Sequence, residues 1–135
     1  MVTIEPLTGS EPDLYDLLVL GGLPKRAEDL AQGLAPRDFL YGAHDDDGVM
    51  LGMAFGLKSD YFHHHTVNNL LVHPDHRRAG IGTTLMNYII EEARRVGHGE
   101  VILDLHPARP AEHRPFYSTL GFEMVDSSRA RLVLG

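Results

Sequence analysis

A basic, glycine-containing stretch, Val72-His73-Pro74-Asp75-His76-Arg77-Arg78-Ala79-Gly80-Ile81-Gly82, follows the apolar run Leu70-Leu71-Val72 and opens into an amphipathic segment. Glycines let a backbone approach a ligand closely. The first turn of a helix presents N–H groups that have no intrahelical acceptor, at the positive end of the helix dipole. Strand, glycine turn and helix in that order make a seat for a phosphate or pyrophosphate. The stretch lacks the Gly-Lys-Ser/Thr ending of a nucleoside-triphosphate loop and the third glycine of a dinucleotide fingerprint. Two further clusters carry chemistry: Phe116-Tyr117-Ser118-Thr119-Leu120-Gly121-Phe122 downstream, and His63-His64-His65 just before the strand. Alternation along a strand would put His63 and His65 on one face, as two metal ligands require, but no cysteine or partner cluster accompanies them. No metal site is expected.

The pattern Val72-x-Pro74-x-x-Arg77-x-x-Gly80-x-Gly82 resembles the acetyl-CoA loop of the GNAT superfamily of N-acetyltransferases. The segment from Phe116 to Phe122 is similar to that family's Phe-Tyr-x-x-x-Gly-Phe signature, in the right order and separated by one helix and one strand. The resemblance implies acetyl-CoA as co-substrate and direct acetyl transfer to an amine in a ternary complex. The amine would be a small molecule or a peptide, and a homodimer is common in the family. It also implies site residues. Arg77, Arg78, Ala79, Gly80, Ile81, Gly82 and Thr83 would hold the pyrophosphate. Backbone groups of Leu71, Val72 and His73 would pair with the pantetheine arm, with an N–H near Leu71 polarising the thioester carbonyl. Tyr117 would protonate the departing thiolate, which suits a phenol of pKa about 10 beside a thiol of about 8.5.

The base is less defined. Counting back in twos from Leu70 places Asn68, Thr66 and His64 on one face. His64 has a suitable pKa for a base, and Asn68 could hold a water that takes the proton. Asp104 and His106, at the end of the next strand, are further pocket-lining candidates. One departure stands out: where many members have a pantetheine-contacting Asn ahead of the Phe-Tyr pair, this chain has Pro110 and His113. A rival reading is an acyl-CoA-binding or sensor module without catalysis.

These residues need elements to position them. Val2–Leu7 reads as a strand, and Glu11–Leu20 as a helix with Ser10 as N-cap and Gly21-Gly22 as its stop. A shorter helix is expected over Ala27–Leu34, and strands over Phe39–Ala43 and Val49–Leu57 around an Asp-Gly turn. Thr66–Val72 reads as a strand. Gly82–Val96 is the clearest helix, with Leu85, Met86, Ile89, Ile90, Ala93 and Val96 as its apolar stripe. Val101–His106, a helix over Glu112–Leu120 with Pro115 in its first turn, and strands Glu123–Val125 and Arg131–Leu134 complete the chain. The resulting order, β-α-α-β-β-β-α-β-α-β-β, contains a βαβ unit whose strands should be parallel. The expected fold is mixed α/β: the GNAT fold, a mostly antiparallel central sheet with flanking helices.

Composition narrows the partners. The chain has 135 residues, 43% hydrophobic and 23% charged, and is read as one domain over 1–135. A net charge of −7 argues against nucleic acid as the main partner. No apolar run is long enough to span a bilayer, and Met1–Pro6 has no secretory signal character. The absence of cysteine fits a reducing compartment, so a cytoplasmic location is expected.

Overall fold

The computed structural model describes residues 1–77, 79–104, 110–126 and 128–134, with the backbone alone given for 110–114. Strand β1 (Thr3–Pro6) leads into helices α1 (Pro12–Leu20) and α2 (Pro24–Ala31), then β2 (Asp38–His44), β3 (Met50–Ser59) and β4 (His64–Val72). Helix α3 (Ile81–Arg95) connects β4 to β5 (Glu100–Asp104), and α4 (Pro110–Thr119) leads to the hairpin β6 (Glu123–Asp126) and β7 (Arg129–Val133). The seven strands form one sheet in the order β1-β2-β3-β4-β5-β7-β6. Among the described residues only the β4–β5 pair is parallel. The expected order and the parallel βαβ unit are therefore both present. Among the described residues no helix is long and apolar enough to cross a membrane.

Several boundaries differ from expectation for local reasons. Helix α1 begins at Pro12 with Glu11, not Ser10, in the N-cap position. The Glu11 carboxylate instead accepts from Thr8 N–H at 2.8 Å and Gly9 N–H at 2.9 Å, tying down the loop ahead of the helix. Helix α2 lies three residues earlier than predicted, because Pro24 starts it and Gly33, at φ +115°, follows its end. Pro115 is not in the first turn of α4 but inside the helix, where its missing N–H removes one ladder bond. Val96 falls outside the buried stripe, being 48% exposed just past the end of α3.

The sheet is covered on both faces. On one, Leu85, Met86, Ile89 and Ala93 of α3 pack with Phe39, Tyr41, Leu51, Ala54, Val67, Val101, Leu103 and Tyr117. On the other, Leu14, Leu17 and Leu18 of α1 and Leu30 of α2 pack with Leu40, Met53 and Phe55. Truncating any such fully buried leucine to alanine costs about 2–5 kcal/mol.

Candidate active site

The parallel pairing of β4 with β5 runs from His64↔Glu100 to Val67↔Leu103 and stops there among the described residues, while β4 continues to Val72 against β3. Beyond Val67, β4 continues without β5 as its partner among the described residues, and this unpaired edge is the fork. A β-bulge opens the fork: Val67 pairs with Gly56 but Asn69 pairs with Phe55, so Asn68 is the extra residue. Gly56 is required beside the bulge, opposite Val67, since a Cβ there would stand 2.0 Å from Thr66 O and 2.4 Å from the Phe39 ring.

The bulge corrects the face predicted for the base. Val67 belongs to the α3-side core and Leu70 packs against that same core. The two residues between them, Asn68 and Asn69, are displaced to the α1/α2 side. Asn69 shares that side with its cross-strand partner Phe55. Asn68, Thr66 and His64 therefore lie opposite Leu70. His64 is also at the closed end of the fork: it pairs with Glu100, its Nδ1 lies 3.9 Å from Glu100 Oε1, and its ring stacks on Phe62. Four residues of strand, about 13 Å, separate it from Asn68. The structure does not bring His64 to the fork.

Hydrogen-bond phase corrects the predicted backbone contacts as well. His73 N–H donates to Leu51 O at 2.8 Å, and His73 O accepts from His76 N–H at 2.9 Å. Both backbone groups of His73 are thus engaged. In an antiparallel pair the bonding direction alternates, so Leu71 also turns toward β3, where its carbonyl oxygen lies against Gly52. Leu70 and Val72 are the residues whose N–H and C=O face the fork. The sequence reading named Val72 and missed Leu70, because the phase of the strand depends on its partner.

Beyond His73 a short helical turn, Pro74–His76, is capped by His73 Nδ1, which accepts from Asp75 N–H at 3.1 Å. Arg77 and Ala79 are exposed. Arg78 lies outside the described residues, as does His106, and the Pro110 and His113 side chains are likewise not described. Gly80 adopts φ +77° as N-cap of α3 and no side chain caps the helix. The N–H groups of Ile81, Gly82 and Thr83 consequently open onto the loop, at the positive end of a 15-residue helix. Ile81 is 3% exposed, so its side chain belongs to the core and only its N–H belongs to the site. A Cβ on Gly82 would stand 3.2 Å from the Phe116 ring and 3.7 Å from Val72. This glycine joins the loop to the downstream aromatic motif.

Tyr117 sits on the same face as α3, 7% exposed, with its ring against Phe116 at 5.0 Å and Phe122 at 6.2 Å between centroids. Burial pushes its pKa up to about 12. Asp104, at the end of β5, faces Arg129 with Oδ1 3.4 Å from Nε. That contact makes it a strand-end ion pair.

At the closed end of the fork lies a polar chain that the sequence reading did not assemble. His65, fully buried, has Nε2 3.1 Å from Glu92 Oε1 and Nδ1 2.9 Å from His98 Nδ1. His98 Nε2 is 3.0 Å from Asp60 Oδ1. Tyr41 O–H donates to Glu92 Oε2, and Lys58 Nζ lies 3.4 Å from Oε1. With both carboxylates ionised, the three contacts along the imidazoles need three ring hydrogens, one more than two neutral rings carry. Burial alone would raise the Glu92 carboxyl, but hydrogen bonds from His65 and Tyr41 and the charge of Lys58 outweigh it and hold the pKa at about 2. Burial and the Glu92 carboxylate push Tyr41 well above the usual phenol range. A signal existed in the sequence: Glu92 stands within the apolar stripe of α3, beside Ala93 and three residues after Ile89. Among the described residues no group of three or more His, Asp or Glu side chains is arranged to hold a metal ion.

A family model described as the acetyltransferase (GNAT) family matches residues 12–122. The chain is 32% identical over 81 residues to the L-amino acid N-acyltransferase MnaT of Escherichia coli (strain K12), covering 58% of this chain and 46% of that protein. The match thus spans less than half the length of that relative. Among solved structures, the ribosomal-protein-S18-alanine N-acetyltransferase of Escherichia coli superposes with a TM-score of 0.83 at 21% identity, over 100% of this chain and 95% of that one. An aminoglycoside 6'-N-acetyltransferase complexed with coenzyme A superposes with a TM-score of 0.77 at 19% identity, over 97% and 96%. These two likenesses are of fold.

Proposed function

Since the chain belongs to the GNAT acetyltransferase family and is an acyltransferase, we propose that it moves an acetyl group from acetyl-CoA to a primary amine by direct attack in a ternary complex. One observation carries this reading. The strand that leaves its parallel partner at Val67 runs on to Val72 and feeds the uncapped N-terminus of α3, with Tyr117 on that same side of the sheet. In this reading the pyrophosphate sits on the N–H groups of Ile81, Gly82 and Thr83, with Arg77 and Arg78 as counter-charges. The pantetheine arm lies in the fork and pairs with the backbone of Val72 and Leu70. The Leu70 N–H polarises the thioester carbonyl.

The phosphate seat and Tyr117 occupy the α3 side, which leaves the α1/α2 side to the amine. The amine nitrogen attacks the carbonyl carbon, a C–N bond forms, and the C–S bond breaks. The nitrogen loses a proton to a water held at Asn68, and the leaving thiolate takes one from the Tyr117 phenol. His64 has no part in this reading. The lack of cysteine supports the cytoplasm as the place of action.

Calorimetric titration of acetyl-CoA against the protein and its Gly82→Val variant tests this reading, followed by assay of thiol release with an amine panel. Micromolar binding is expected, weakened about tenfold or more in the variant because a branched side chain there meets Phe116 and fills the phosphate approach. Absence of acetyl-CoA binding by the unmodified protein would sink the reading, and binding without turnover of any amine would reduce it to a carrier role.

A further inference from the structure

The α1/α2 side of the fork holds groups that neither the phosphate seat nor Tyr117 uses. The Oδ1 atoms of Asn68 and Asn69 are both buried and have no hydrogen-bond partner among the described residues. A buried carbonyl oxygen without a donor is destabilising, and two in succession at a bulge point to donors supplied from outside the chain. Asn69 pairs across the sheet with Phe55, and the guanidinium of Arg26, from α2, is held over the Phe55 ring at 5.2 Å from its centroid. Arg26 is half-buried and has no ion-pair partner among the described residues. Leu71 packs against Gly21, where a Cβ would stand 2.6 Å from its methyl group, so the α1–α2 connection closes directly onto β4. Two carbonyl acceptors and a cation that is unpaired among the described residues thus share one face at the fork. Cross-strand partners lie about 4.5–5.5 Å apart, which keeps the amides and the guanidinium within the span of one small molecule.

An amine offers donors to the carbonyls, and a carboxylate is the natural partner of a planar guanidinium. We propose that the acceptor is an amine that also bears a carboxylate, in the class of free amino acids, with its amino group on Asn68 and Asn69 and its carboxylate on Arg26. The assignment rests on the acetyl-transfer reading above and narrows its acceptor. When each asparagine carbonyl accepts a hydrogen bond from an amine N–H, the nitrogen lone pair stays free to meet the thioester carbon. The rival chemistry is a polyamine drawn to the cavity of about 320 Å³ lined by Asp13, Asp16, Asp47 and His73.

The experiment compares matched pairs in the thiol-release assay: phenylalanine against phenethylamine, lysine against cadaverine, and spermidine alone. The amino acid of each pair should exceed its decarboxylated amine by about tenfold or more in kcat/KM, because the amine leaves Arg26 without its partner. Arg26→Ala should remove most of that preference through KM and leave the decarboxylated amines within about twofold, while Arg26→Lys should restore part of it. Equal or better use of the decarboxylated amines or spermidine overturns the assignment and leaves acetyl transfer standing. So does an Arg26→Ala loss that is equal for both members of a pair. If acetyl-CoA binds but no amine turns over, calorimetry of phenylalanine and phenethylamine on coenzyme A-loaded protein decides. Phenylalanine binding that is lost in Arg26→Ala supports the site, and its absence overturns it. If acetyl-CoA does not bind, the acetyl-transfer reading fails first and the same titration on unloaded protein decides the acceptor site.

Discussion

Tyr117 holds its proton more firmly than a solvated phenol, because burial raises its pKa to about 12. A group that acts as an acid is competent below its pKa, so the shift widens the range in which it can protonate a thiolate. The profile of kcat against pH should accordingly show no fall assignable to this phenol until the pH approaches 12. Tyr117→Phe should lower kcat by about tenfold or more with acetyl-CoA affinity nearly unchanged. An unchanged kcat would leave Tyr117 a packing residue against Phe116 and Phe122. This residue was legible from its motif alone. The asparagines are less so: strand alternation puts Asn68 on the face of Leu70 and does not mark Asn69, because the bulge that shifts both depends on the pairing with β3. His64 failed for the same reason and because the closed end of the fork is set by where β5 stops pairing.

At the level of elements, the fork depends on a bulge in β4 and on the glycine that faces it. Gly56 has ordinary strand geometry, yet its missing side chain is what lets Phe39 and the Thr66 carbonyl approach. Gly56→Ala should therefore cost about 4 kcal/mol or prevent folding, read from the urea midpoint, since the obstructing atom is backbone and cannot swing aside. A near-native midpoint would mean that the bulge relaxes readily. Helices and strands themselves were mostly visible in the sequence, because their apolar periods of two and 3.6 residues are local properties. Their ends were less so. Pro24 and Gly33 moved α2 toward the N-terminus, and Glu11 took the N-cap position predicted for Ser10, its carboxylate binding the preceding loop and not the helix.

Over the whole molecule, the His65–Glu92–Tyr41 cluster ties β2, β4 and α3 together at the closed end of the fork, and its worth is measured in global stability. The Glu92 carboxyl ionises at about 2 when folded against an ordinary 4.5. A lowered folded pKa contributes stability that is present above the ordinary value and lost as pH falls from 4.5 toward 2. The contribution is of order 3 kcal/mol, by the usual conversion of a pKa difference. Urea unfolding of Glu92→Gln should show a flatter loss of stability across that acid window than the unmodified protein, and parallel curves would remove Glu92 from the account. The sequence by itself determined the order of elements and the parallel βαβ unit, since each is written in local spacing and residue type. Only the tertiary structure decided which backbone groups of β4 face the fork, that Asn68 and Asn69 share a face with Phe55 and Arg26, and that His65 meets both His98 and Glu92. Those facts depend on register between strands and on which helix covers which face, and no single segment contains that information.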